Sequence, residues 1–141
     1  MSKLVFPYFE AVAKTPKGKI IKIFRPIIPV RLCWKHQLTK TLINALVDSG
    51  ADRNLFPAVI GELMLGIKIE KGKKIIHSGI GGIKIEAFVH PVKIYLKGCC
   101  FTTEVDFSYH QEIPILGRSG FFRHFQKVIF KEIKKELILV Y

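Results

Sequence analysis

An all-β domain with two short helices is what the patterning of this chain predicts, on three observations. Its apolar residues fall into short runs rich in Ile, Val and Phe, each bounded by Pro, Gly or charged residues. Helix signals are confined to two brief windows, one after Pro57 and one after Ser119. The 141 residues, 49% of them hydrophobic, suit one core, so a single domain over 1–141 is expected.

The elements follow in order. Lys19 to Phe24, Ile27 to Leu32 and Thr41 to Val47 read as strands, each β-branched or aromatic in character. Pro57 to Leu65 reads as a helix, with Pro at its first turn, apolar Val59, Ile60, Leu63 and Met64, and Gly66 beyond its end. Lys74 to Ser78 and Ile83 to Val89 flank the cluster Gly79-Ile80-Gly81-Gly82 and form a hairpin. Val92 to Leu96 and Cys100 to Phe107 flank Lys97-Gly98 and form another. Ser119 is placed to cap a short helix from Gly120 to about Phe125. Val128 to Phe130 and Leu137 to Val140 close the chain as strands around a charged turn, preferred to a helix over Lys131 to Glu136.

Composition excludes several function classes. No apolar run approaches the ~18 residues of a membrane-spanning helix, and the segment Leu4 to Phe9 is broken by Pro7 and lacks a following cleavage site, so a cytoplasmic protein is expected. Cys33, Cys99 and Cys100 form no Cys-x-x-Cys pair and read as reduced thiols. The five histidines lack metal-ligand spacing, and Cys33 and His36, taken as residues of one strand, face opposite sides, so no metal is expected. The net charge of +12 is dispersed, with clusters at Lys71 to Lys74 and Lys131 to Lys135 beside turns. Solvated turns account for it better than a nucleic-acid surface, although aromatic residues such as Tyr95 and Phe101 on basic strands keep that alternative open.

The chemistry-bearing feature is Asp48-Ser49-Gly50, where an apolar strand delivers one carboxylate into a tight turn. An Asp before Ser-Gly can serve only to initiate a turn. The longer string Ala45-Leu46-Val47-Asp48-Ser49-Gly50-Ala51-Asp52, with Ile113-Pro114-Ile115-Leu116-Gly117-Arg118 further on, resembles the active-site half of a retropepsin, the retroviral type of aspartic protease, over roughly 26–125. Ser119 after Gly-Arg and the length of chain beyond Arg118 depart from the viral pattern and look more like retropepsin-like proteins of cellular microbes, in which the last strands pack within the subunit.

The resemblance implies a closed retropepsin-like β-barrel with a β-hairpin flap, and an aspartic endopeptidase acting on extended polypeptides around apolar residues. Asp48 would be the catalytic carboxylate, Ser49, Gly50 and Ala51 its turn, Asp52 and Arg118 a supporting ion pair, and Gly79, Ile80, Gly81 and Gly82 the flap over substrate. Such chemistry needs two carboxylates sharing a proton, and aspartic proteases are the standard instance of that divided pair. The chain has three aspartates and one Asp-Ser-Gly. A homodimer with Asp48 at its axis is therefore expected, with no cofactor. The competing expectation keeps the fold as a catalytically silent dimerisation or peptide-binding module.

Overall fold

In the computed structural model, which describes residues 2–141, six strands close into a barrel of mixed direction. Its staves are β4 (Ile27–Trp34), β6 (Ile43–Val47), β11 (Ile115–Leu116), β7 (Leu55–Pro57), β10 (Cys99–Ser108) and β9 (Lys84–Leu96), and pairing of β9 with β4 closes the ring. β6 with β11 and β7 with β10 are parallel; the other pairings are antiparallel. β8 (Lys73–Ser78) continues the sheet outside the ring from β9, and β5 (Gln37–Leu38) from β4. No helix among the described residues is long and apolar enough to cross a membrane.

β9 is one strand of 13 residues where two shorter runs were expected. Pro91, which cannot donate to a ladder, falls in the interval where β9 passes from pairing with β8, ending at Val89, to pairing with β4, starting at Lys93. The core inside the barrel holds Ile28, Val30, Leu32, Ile94, Val105, Phe107 and Leu116, all fully buried. Alternation along β4 and the second half of β9 sends Ile28, Val30, Leu32 and Ile94 inward, with half-buried neighbours on β4 and exposed ones on β9.

The helix α1 (Ala58–Leu65) stands where expected, and Gly66 ends it in the left-handed conformation at φ 72°. It buries Ala58, Gly61 and Leu65, whereas Val59 and Leu63 are 52% and 80% exposed. Gly61 sets that face: a Cβ there would stand 2.8 Å from Ile69 Cδ1 and 3.1 Å from the Phe107 ring. The expected second helix is a single 3-10 turn, Phe122–His124. Ser119 does not cap it, because its hydroxyl donates to the Asp52 carbonyl at 2.6 Å.

Two additions flank the barrel. β1 (Lys3–Pro7), β13 (Glu136–Val140) and β12 (Lys127–Lys131) form an antiparallel sheet within the subunit, so the last strands pair as expected around their charged turn. Tyr8 fastens that turn, donating its hydroxyl to Glu132 Oε1 at 2.9 Å and its N–H to the Lys135 carbonyl at 2.8 Å. Burial, then Glu132, push the phenol up to about 12. β2 (Phe9–Lys14) and β3 (Ile20–Arg25) form a separate two-stranded hairpin, of which only β3 was legible in the sequence. His36, read as a strand residue opposite Cys33, instead sits in the β4–β5 turn, where Lys35 and His36 both adopt positive φ, 44° and 69°.

Candidate active site

β6 ends at Val47, and Asp48 begins the turn directly after it. The Asp48 N–H donates to the Leu116 carbonyl at 3.0 Å, fixing the end of β6 against β11. Asp48 Oδ1 accepts the Gly50 N–H at 2.8 Å, an Asx turn that aims one carboxylate oxygen back along the loop. Asp48 is half-buried, while Ser49 and Gly50 are exposed. A Cβ at position 50 would meet Asp48 Oδ1 at 3.2 Å, so glycine leaves that oxygen unobstructed. The carboxylate thus sits at a strand end, rigidly tied through its backbone and open on one side.

The Gly117-Arg118 segment is brought against this loop by its backbone. Arg118 N–H donates to the Ala51 carbonyl at 2.8 Å, and Ser119 N–H to the Asp52 carbonyl at 2.6 Å. Gly117 lies so close to the Arg53 backbone that any Cβ would collide with the Arg53 carbonyl. The ion pair expected between Asp52 and Arg118 is not formed among the described residues; both are exposed. The ion pair that does form in this region joins Arg53 to the buried Asp106.

Asp106 on β10 is fully buried. Arg53 donates to it from Nε at 2.6 Å and Nη2 at 2.8 Å, and His77 Nε2 lies 2.7 Å from Oδ2. Burial alone would raise this carboxyl; the hydrogen bonds from Arg53 and His77 outweigh it and hold the group below the usual carboxylate range. The hydrogen bonds to Asp106 first, and then Glu104, outweigh burial and hold the Arg53 guanidinium firmly charged. His77 belongs to β8, so this cluster ties the loop after Asp48 to the first strand of the glycine-tipped hairpin. A 240 Å³ cavity lies between them, walled by Ala51, Arg53, Leu55, Ile76, His77 and Ile115 among others.

Asn54, 1% exposed, completes the framework. Its Nδ2 donates to the carbonyls of Gly120 (2.9 Å) and Glu104 (3.0 Å), and its Oδ1 accepts the Gly117 N–H at 3.0 Å. Arg53, Asn54, His77 and Asp106 were not singled out from the sequence. The only local signal was that Arg53 and Asn54 adjoin the Asp48–Asp52 string, since partners fifty residues away leave no short motif.

β8 and β9 pair as a hairpin around the glycine cluster, with Ser78 opposite Lys84. Gly81 and Gly82 adopt φ of 81° and 76°, a conformation that glycine takes without strain. Ile80 at the tip is 99% exposed. Gly79 N–H donates to the Ile83 carbonyl at 2.7 Å and closes the turn.

Neither a scan against protein-family models nor a search of curated proteins gives a match. Solved structures do match. The EIAV protease in complex with the inhibitor HBY-793 is 28% identical, with a TM-score of 0.51, over 67% of this chain and 82% of that one. A retropepsin-like aspartic protease from Rickettsia conorii is 16% identical, with a TM-score of 0.62, over 99% of both chains. The chain therefore has the retropepsin-like fold and is similar to retropepsin-like aspartic proteases.

Proposed function

We propose that the protein is a homodimeric aspartic endopeptidase whose active site is assembled at the dimer axis from Asp48 of each chain. The observation that carries this reading is the placement of Asp48: a half-buried carboxylate at the end of a barrel strand, in a fold shared with an aspartic protease 28% identical to it. Of the other two aspartates, Asp106 is buried and saturated by Arg53 and His77, and Asp52 lies on the same loop as Asp48. A single chain thus offers one Asp-Ser-Gly turn, and twofold symmetry supplies the second.

In that arrangement one Asp48 is ionised and takes a proton from water as it attacks the peptide carbonyl. Its partner is protonated and donates a hydrogen bond to the carbonyl oxygen that becomes negative. Because the two carboxylates share one proton, a pH–rate profile reports the pair and not one residue. The Ser49 hydroxyl braces the two turns against each other across the axis, and Gly50 lets the backbones approach closely there. The Gly79–Gly82 tip closes over an extended polypeptide, and the cavity walled by Leu55, Ile76 and Ile115 receives an apolar side chain. Three free cysteines suit action in the cytoplasm.

Incubation of an unfolded polypeptide with wild type and Asp48→Asn tests this. Cleavage by wild type alone, with both samples folded, is expected; equal cleavage by both overturns the assignment of Asp48. Absence of cleavage by a folded, dimeric wild type would leave a peptide-binding module.

A further inference from the structure

We infer that the β2–β3 hairpin is a dimerisation arm whose exposed apolar stripe packs on the second copy of this chain. This rests on the reading that two copies meet at Asp48.

Three observations lead there. The first is the hairpin's exposure: none of its twelve strand residues is buried. A lone two-stranded hairpin is marginal in water unless something packs on it. The second is its apolar surface. Cross-strand partners Val12↔Lys22 and Glu10↔Phe24 make Ile20, Val12 and Phe24 diagonal neighbours on one face. They are 66%, 68% and 39% exposed. The stripe runs between Glu10, Lys14 and Lys22, and the opposite face carries Phe9, Ala11, Ala13, Ile21 and Ile23, none of them buried; a contiguous apolar stripe left open to solvent is the mark of an interaction surface.

The third observation says what covers it. β4 and β6 are antiparallel, with Ile27 opposite Leu46, and the Val47 N–H donates to the Pro26 carbonyl at 2.9 Å. β3 therefore enters β4 from the end of the barrel at which β6 delivers Asp48, and the base of the hairpin adjoins the active-site turn. A second copy contributing its own Asp48 has to stand at that end, so the hairpin is rooted beside the dimer axis. The arm is basic, with Lys14, Lys17, Lys19, Lys22 and Arg25 against Glu10, but nucleic acid is the poorer occupant. Glu10 already holds Lys22 at 3.2 Å, and the stripe between the charges is aliphatic and aromatic, with one ring, Phe24, facing Lys135 Nζ at 5.8 Å.

The test is sedimentation equilibrium of the full chain as wild type, Asp48→Asn, and the double variant Val12→Lys/Ile20→Lys. Both substituted positions are exposed, so the double variant should keep the wild-type circular dichroism and melting temperature measured at monomeric concentration. The expected result is a dimer for wild type and Asp48→Asn, and a dissociation constant at least about thirtyfold weaker for the arm variant, with cleavage returning as its concentration is raised. An arm variant that dimerises like wild type, or a wild type that never dimerises, overturns the arm. If the arm variant loses the dimer while Asp48→Asn cleaves as well as wild type, the arm stands and the catalytic reading fails.

Discussion

Arg53 grips Asp106 through two nitrogens, at 2.6 and 2.8 Å, and by doing so anchors the loop that carries Asp48 to the far strand β10. A planar guanidinium meets a carboxylate in this paired fashion and a lysine ammonium cannot. Since Asp106 is fully buried and Arg53 is partly open to solvent, the pair's worth lies chiefly in what its loss leaves behind. Asp106→Asn strands Arg53 and His77 beside a neutral amide and should destabilise the fold by about 3 kcal/mol. Arg53→Lys should cost roughly 1.5–3 kcal/mol. Urea unfolding midpoints at fixed slope measure both; values near wild type would mean that the cluster is not structural.

The same cluster sets acid stability. Asp106 titrates below its unfolded value of about 3.9, so its contribution is complete above about pH 4 and is lost as pH falls through the lower, folded value. Wild type should lose stability on that limb, and Asp106→Asn should lack this part of the loss. Urea midpoints recorded from about pH 6 to 2 decide it.

His124 provides a second, separable limb. Its ring stacks on Phe101 at 4.0 Å and its buried Nε2 has no partner among the described residues. Burial first, then Arg123, lower its pKa from 6.5. The unfolded chain takes up the proton more readily, so stability contributed above about pH 6.5 is lost as pH falls below it. His124→Phe should flatten the profile just below about pH 6.5 while leaving the more acid limb. An unchanged profile would show that His124 titrates normally.

Asn54 should be intolerant of change. Replacing it with Ala releases the Gly117 N–H and the Gly120 carbonyl, the latter still held by the Thr103 hydroxyl at 2.6 Å. A loss of about 2 kcal/mol follows from one unsatisfied buried donor and lost packing. Gly117→Ala should be worse, since the added methyl meets the backbone of Arg53 and displaces the loop itself. Thermal melts rank the two; the reverse order would contradict the close approach.

The barrel was largely legible because its strands are short, β-branched and punctuated, and because burial along β4, β6 and the second half of β9 follows the period-2 pattern. Asp48, its turn and the Gly79–Gly82 hairpin were legible as local strings. Misreadings came where distant contacts outweigh local preference. Val59 and Leu63 look like a helix core face, yet the helix turns its Gly61 side inward because the Phe107 ring leaves no room for a Cβ. Ser119 looks like a cap, yet Asp52 offers its hydroxyl a carbonyl at 2.6 Å. Asp52 and Arg118 look like a pair, yet the buried acid is Asp106. The Phe9–Lys14 strand carries Glu10 and two alanines, a weak strand signal, and forms because β3 pairs with it.

The most direct test of a site built from one Asp48 per chain is a mixing experiment: wild type and Asp48→Asn combined at constant total concentration, well above the dimer dissociation constant, with peptide cleavage as the readout. If each site needs both carboxylates, mixed dimers are inactive and activity follows the square of the wild-type fraction, about a quarter at equal mixing. Activity proportional to the wild-type fraction, about a half at equal mixing, would mean that a single chain carries the whole active site, and would contradict the account.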